Sequence, residues 1–168
     1  MQVLISPHPD DAVLFASYFI LRDKPLIITV THPTYQGDNG NQRIVEDYSA
    51  MRILGAPICF LGIDEDKLTP ELLLEKLHFL PPGTHYYIPE YEKDGNPQHN
   101  LINIAIKSEA INWTEYKTYS GHEDRTIGKE VIPTEEELLL KQAAMACYRT
   151  QIENPNTAHY FNVTNEYV

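Results

Sequence analysis

Five short apolar runs, most of them dense in β-branched residues, punctuate the chain: VLIS at 3–6, LIITVT at 26–31, ICFLG at 58–62, HYYIPEY at 85–91 and the more polar TEYKTYS at 114–120. Runs of this length and composition predict strands. Between and after them, apolar residues recur at helical spacing over 11–22, 41–54, 70–79, 98–111 and 135–150, predicting amphipathic helices. The end signals agree. Thr69 stands as an N-cap before Pro70 in the first helical position, Thr134 and Glu137 form a capping box, and Gly55 closes the second helix.

Strands that are apolar nearly throughout, alternating with helices, predict a parallel sheet covered on both faces by right-handed crossovers. The fold class expected is α/β: a single-domain, Rossmann-like three-layer sandwich with a mainly parallel sheet, spanning 1–168. A length of 168 residues suits one such domain. In folds of this kind ligands gather at the carboxyl ends of the strands, in the loops that enter the helices. Those loops hold His8, His32, His99 and His122, four of the seven histidines, so this end of the sheet is where chemistry is expected.

Composition narrows the classes of partner. Thirteen basic against 24 acidic residues give a formal charge of −11, with no basic cluster to neutralise phosphates, so no nucleic acid is expected as a partner. No run resembles a membrane span, and Met1 leads into VLIS without a basic n-region, which predicts a cytoplasmic protein. Cys59 and Cys147, far apart in apolar surroundings, read as reduced, packed thiols.

The stretch SPHPDDAVL at 6–14 carries the densest chemistry. Pro7 and Pro9 hold the backbone around His8 out of helical geometry until Asp10 and Asp11 open a helix, where the macrodipole favours each acid by ~0.3–1 kcal/mol. Capping alone needs one acid and no histidine. Histidine beside carboxylate, at the ligand end of the sheet, is what a divalent metal requires.

SPHPDDAVL also resembles the signature of the LmbE-like (PIG-L) family of metal-dependent N-acetylglucosamine deacetylases, in which a strand runs into His-Pro-Asp-Asp. Further matches follow in order: RIVEDYSAMRILG at 43–55, LGID at 61–64, NPQH at 96–99 and KQAAMACYRTQ at 141–151. The resemblance implies that His8, Asp11 and His99 bind a catalytic Zn2+, that Asp10 is the general base, and that Arg43 and Asp64 line the substrate cleft. Two histidines and one carboxylate leave a tetrahedral zinc one open position for water, whose pKa then falls to ~7. The same ligands describe a non-haem iron triad, so another divalent metal such as Fe2+ stays open. Arg43 equally suits an ion pair with Glu46 or Asp47, and Asp64 an ordinary acidic turn.

One position departs from the family. Relatives commonly carry a histidine where this chain has Asn96, which can donate a hydrogen bond but cannot titrate; His32 and His122 are candidates to replace it. The leading reading is a zinc-dependent N-deacetylase acting on a small N-acyl amino sugar or its conjugate. The alternative is a catalytically silent metal- or sugar-binding domain of the same fold, and an iron-dependent oxygenase ranks last. The oligomeric state is left open by the sequence.

Overall fold

The computed structural model describes residues 1–32, 38–118 and 128–167. Five strands form one sheet: β1 (Gln2–Ser6), β2 (Leu26–His32), β3 (Ile58–Asp64), β4 (His85–Pro89) and β5 (Trp113–Tyr116). Their order is β3-β2-β1-β4-β5 and every pair is parallel. The helices among the described residues are α1 (Asp11–Asp23), α2 (Asp38–Leu54), α3 (Pro70–Leu77), α4 (Pro97–Glu109), α5 (Glu135–Met145) and α6 (Arg149–Ile152). This is the α/β three-layer arrangement that the alternation of patterns predicts.

Alternation along each strand builds the layers. Leu4, Ile27, Tyr87 and Tyr116 face one side and pack with Val13, Met51, Leu54 and Tyr148 from α1, α2 and the end of the α5 segment. Val3, Ile5, Ile28, Val30 and Ile88 face the other and pack with Leu73, Leu77, Ile102 and Ile106 from α3 and α4. Each fully buried aliphatic side chain here contributes roughly 1.5–3 kcal/mol. The sheet is therefore held from both faces.

The predicted caps form. Thr69 Oγ1 accepts the Leu72 N–H at 3.2 Å, Thr134 and Glu137 make the reciprocal box, and Gly55 takes the left-handed conformation at φ +69°. The predicted 135–150 helix instead divides. A turn at 146–148 swings Tyr148 fully into the core, where its hydroxyl donates to Asp47 Oδ1 at 2.5 Å. Helix α1 bends as well, at Ala16 (φ −141°, ψ 17°), and the Tyr18 N–H near the bend donates to Glu166 Oε2 at 3.0 Å. Cys59 and Cys147 are free and half-buried. No helix among the described residues is long and apolar enough to cross a membrane.

The chain steps outward from β1 to β2 to β3, then returns to the other side of β1 for β4 and β5. That reversal opens a crevice between the carboxyl ends of β1 and β4, the place where open α/β sheets bind ligands.

Candidate metal centre

The loop from β1 to α1 is fastened on several sides. Ser6 Oγ donates to the His8 carbonyl at 2.8 Å and accepts the Ala12 N–H at 3.1 Å. The Thr31 hydroxyl and N–H, from the neighbouring β2, both donate to the Pro7 carbonyl, at 2.8 and 3.0 Å. Two prolines and these bonds set His8 and Asp11 on one side of the turn.

His99 reaches them from across the crevice. Asn96 caps α4, its Oδ1 accepting from the Gln98 and His99 N–H groups, and Pro97 fills the first turn, where its missing N–H costs nothing. Because β4 lies beside β1, the start of α4 faces the loop that leads into α1. The 91-residue separation of His8 and His99 thus closes to 3.3 Å between His8 Nδ1 and His99 Nε2.

Asp11 Oδ2 completes a triangle, 2.9 Å from His8 Nδ1 and 3.1 Å from His99 Nε2. A tetrahedral zinc with bonds of ~2.0–2.1 Å sets its ligands roughly 3.3 Å apart, so three donors at these separations suit one small cation. Among the described residues this is the one group of His, Cys, Asp or Glu side chains with that convergence. His99 and Asp11 are buried and His8 is half-buried. Burial opposes the charge on Asp11, but His99 and His8 outweigh it and hold its carboxyl well below the usual range. Burial likewise opposes charging of His8, and the adjoining Asp11 raises it above its ordinary value.

Asp10 occupies the N-cap position yet makes no side-chain cap bond, and its backbone sits at φ +113°. A non-glycine residue in that region carries strain, which surrounding contacts must hold. Arg43 of α2 supplies them, its Nη2 donating to Asp10 Oδ2 at 2.7 Å and to the Pro9 carbonyl at 2.6 Å. Burial pushes the Asp10 carboxyl up to about 6, against the pull of Arg43, and the charge of Asp11 adds to the rise. Arg43, for which the resemblance implies a place in the substrate cleft, is only 6% exposed and lies against Asp10. The two acids considered as its ion-pair partners have hydroxyl donors of their own: Glu46 takes the Thr150 hydroxyl, and Asp47 those of Thr29 and Tyr148.

Asp64 ends β3 and pairs with Lys67. Asn96 is exposed at the N-terminus of α4. His32, half-buried, turns Nε2 toward Asn41 Oδ1 at 3.3 Å. His122 lies outside the described residues. Neither Glu65 nor Tyr148 stands out in the sequence as part of this region. Glu65 begins a single 3-10 turn directly after β3, and its Oε1 lies 3.9 Å from His8 Nε2. Its place in a loop at the ligand end of the sheet was the available signal.

No protein-family model and no curated protein matches the sequence. Solved structures do match the fold. GalB, the 4-carboxy-2-hydroxymuconate hydratase of Pseudomonas putida KT2440, superposes with a TM-score of 0.69 at 14% identity, over 96% of this chain and 82% of that one. A triple mutant of a deacetylase of the teicoplanin biosynthetic pathway, Orf2*T, gives 0.68 at 17% identity, over 96% and 87%. The A40926 pseudoaglycone deacetylase Dbv21 gives 0.67 at 18% identity, over 93% and 85%. The chain therefore has the fold of these deacetylases and of the hydratase, in agreement with the LmbE-like (PIG-L) resemblance of its sequence.

Proposed function

We propose that the chain is a metal-dependent N-deacetylase, a single LmbE-like domain of the cytoplasm that hydrolyses the N-acetyl amide of an amino-sugar-like substrate. The observation that carries this reading is the convergence of His8 Nδ1, Asp11 Oδ2 and His99 Nε2 beside the buried Asp10. Two of the proteins sharing its fold are deacetylases. Zinc is the metal that the donor set suits best, with Fe2+ the alternative. Held by these residues, a divalent ion supplies a water acidified toward neutrality and a Lewis acid for the amide carbonyl.

The chain's own residues do the rest. The Asp10 carboxylate takes the proton of the attacking water and passes it to the amine nitrogen as the C–N bond breaks, leaving acetate and the free amine. Burial raises Asp10 above the usual carboxylate range, which suits a group that takes a proton and gives it back. Arg43 keeps that carboxylate in place against a strained backbone. Asn96, with Oδ1 committed to the helix cap, retains Nδ2–H to donate to the carbonyl oxygen as charge develops there. Asp64 accepts from sugar hydroxyls.

Acetate release from a panel of N-acetylglucosamine conjugates by the zinc-loaded protein tests the reading. Asp10→Asn is expected to lower kcat by ~10²–10⁴ while leaving zinc content unchanged; full activity in that variant removes the base assignment. Binding by calorimetry with no turnover anywhere in the panel would favour a silent binding domain instead. The hydratase that shares the fold justifies adding an unsaturated carboxylate, whose turnover without acetate release would move the reading to water addition.

A further inference from the structure

Glu65 leaves the sheet from the end of β3, whereas His8 leaves from the end of β1, and the two side chains meet over β2. Glu65 Oε1 is buried and has no hydrogen-bond partner among the described residues. A buried polar atom left without a donor costs about 1–3 kcal/mol, more when it is charged. The donor set against it is His8 Nε2 at 3.9 Å, within ion-pair reach and about 1 Å beyond a hydrogen bond. Rotation about the three side-chain torsions of a glutamate is enough to close such a gap.

The two nitrogens of His8 face different ways. Nδ1 points at Asp11 Oδ2 and His99 Nε2, so it is the nitrogen whose lone pair a cation in the triangle would take. Nε2 must then carry the ring proton. Metal-binding imidazoles commonly donate that outer N–H to a carboxylate, which fixes the tautomer, orients the ring and raises its basicity as a ligand. The second imidazole lacks such a partner: His99 Nδ1 is buried without a hydrogen bond among the described residues.

We infer that Glu65 is the positioning residue of the metal centre, its Oε1 accepting the Nε2–H of His8 and so holding His8 in the tautomer that leaves Nδ1 free to bind the cation. This rests on the metal-centre reading above and adds a carboxylate from the turn after β3 to a site otherwise built from the segments that follow β1 and β4. Glu65 touches neither substrate nor reacting atoms in this assignment; it acts through His8.

The test is zinc affinity, measured by competition with a chromogenic chelator, for the wild-type chain, Glu65→Gln and Glu65→Ala, alongside the melting temperature of each metal-free protein. Glu65→Ala is expected to weaken zinc binding by ~10–100-fold. Glu65→Gln, which keeps a carbonyl oxygen as acceptor, should recover part of that loss, and its metal-free melting temperature should match the wild type. A merely structural Glu65 would instead lower the metal-free melting temperature and leave zinc affinity alone. Both variants binding zinc as tightly as wild type would overturn the role of Glu65 while the metal centre stands. A wild-type chain that binds no zinc would overturn the metal centre and this inference with it. Should Glu65→Ala fail to fold, the Glu65→Gln affinity alone decides, since an unaltered value contradicts the inference.

Discussion

Two of the clusters of buried charge among the described residues are built on opposite terms. Under α1, Lys141 and Glu166 are completely buried, with Lys141 Nζ donating to Glu166 Oε1 at 2.7 Å and to the Leu14 carbonyl at 2.8 Å. The other Glu166 oxygen takes the Tyr18 N–H at the bend of α1. Burial pushes both groups toward their neutral forms, and each partner pulls the other back toward charge. At the crevice, by contrast, His99 Nδ1 and Glu65 Oε1 lack partners among the described residues, Asp10 is strained, and three donors crowd one point. A satisfied cluster fastens elements together. The crevice cluster instead brings three donor atoms to one point, as the proposed cation would require, and leaves the atoms behind them without partners.

The largest effect that separates the two belongs to the fastening pair. Glu166→Gln keeps the shape but leaves Lys141 charged and buried, so unfolding free energy in denaturant should fall by roughly 3–5 kcal/mol with zinc affinity unchanged. The double change Lys141→Met with Glu166→Leu should recover most of that loss, because an apolar pair of similar volume replaces the ion pair. A fall in zinc affinity on Glu166→Gln would break the distinction.

Asp47 sits between the two regimes: fully buried and doubly hydrogen-bonded, yet close enough to the centre to feel Asp10 and Arg43. Burial pushes its carboxyl from 3.8 up to about 7, against the hydrogen bonds from Tyr148 and Thr29. A group raised in the folded state contributes its full stabilisation below its unfolded pKa and loses it as pH rises through the folded value. Wild-type stability should therefore decline between about pH 4 and 7, by on the order of 3–4 kcal/mol from this group. Asp47→Asn should flatten that decline in unfolding experiments run across the same window; an unaltered slope would assign the decline elsewhere.

The smallest effect is expected where the site is emptiest of structural duty. His99→Gln should lower metal-free stability by only ~1 kcal/mol, the worth of one hydrogen bond. The ~2.7 kcal/mol that the proposed zinc would add at a hundredfold excess over Kd should vanish from the same variant. A large loss in the metal-free protein would mean that His99 belongs with the fasteners.

What could be read along the chain followed range in sequence. Strands, helices and caps depend on neighbours a few residues apart, so VLIS, LIITVT, Thr69-Pro70 and the Thr134–Glu137 box predict elements that the fold contains. The first loop was legible because HPDD concentrates its chemistry in four residues. Strand order was not, since pairing β1 with β4 rather than with β5 is decided by packing far from either sequence. Nor were the partners of Arg43 and Glu166, each reaching a residue in another element. Glu65 was hidden by its company, one acid in the run DED of an exposed-looking turn. The division of the last helix traces to Tyr148, whose hydroxyl finds Asp47 only in three dimensions.

X-ray absorption at the zinc edge on the loaded wild-type chain addresses the central claim most directly. It should report one zinc per chain with two imidazole nitrogens and carboxylate oxygen at ~2.0–2.2 Å. A bound zinc with fewer than two imidazoles, or none bound at all, would contradict a centre made by His8, Asp11 and His99.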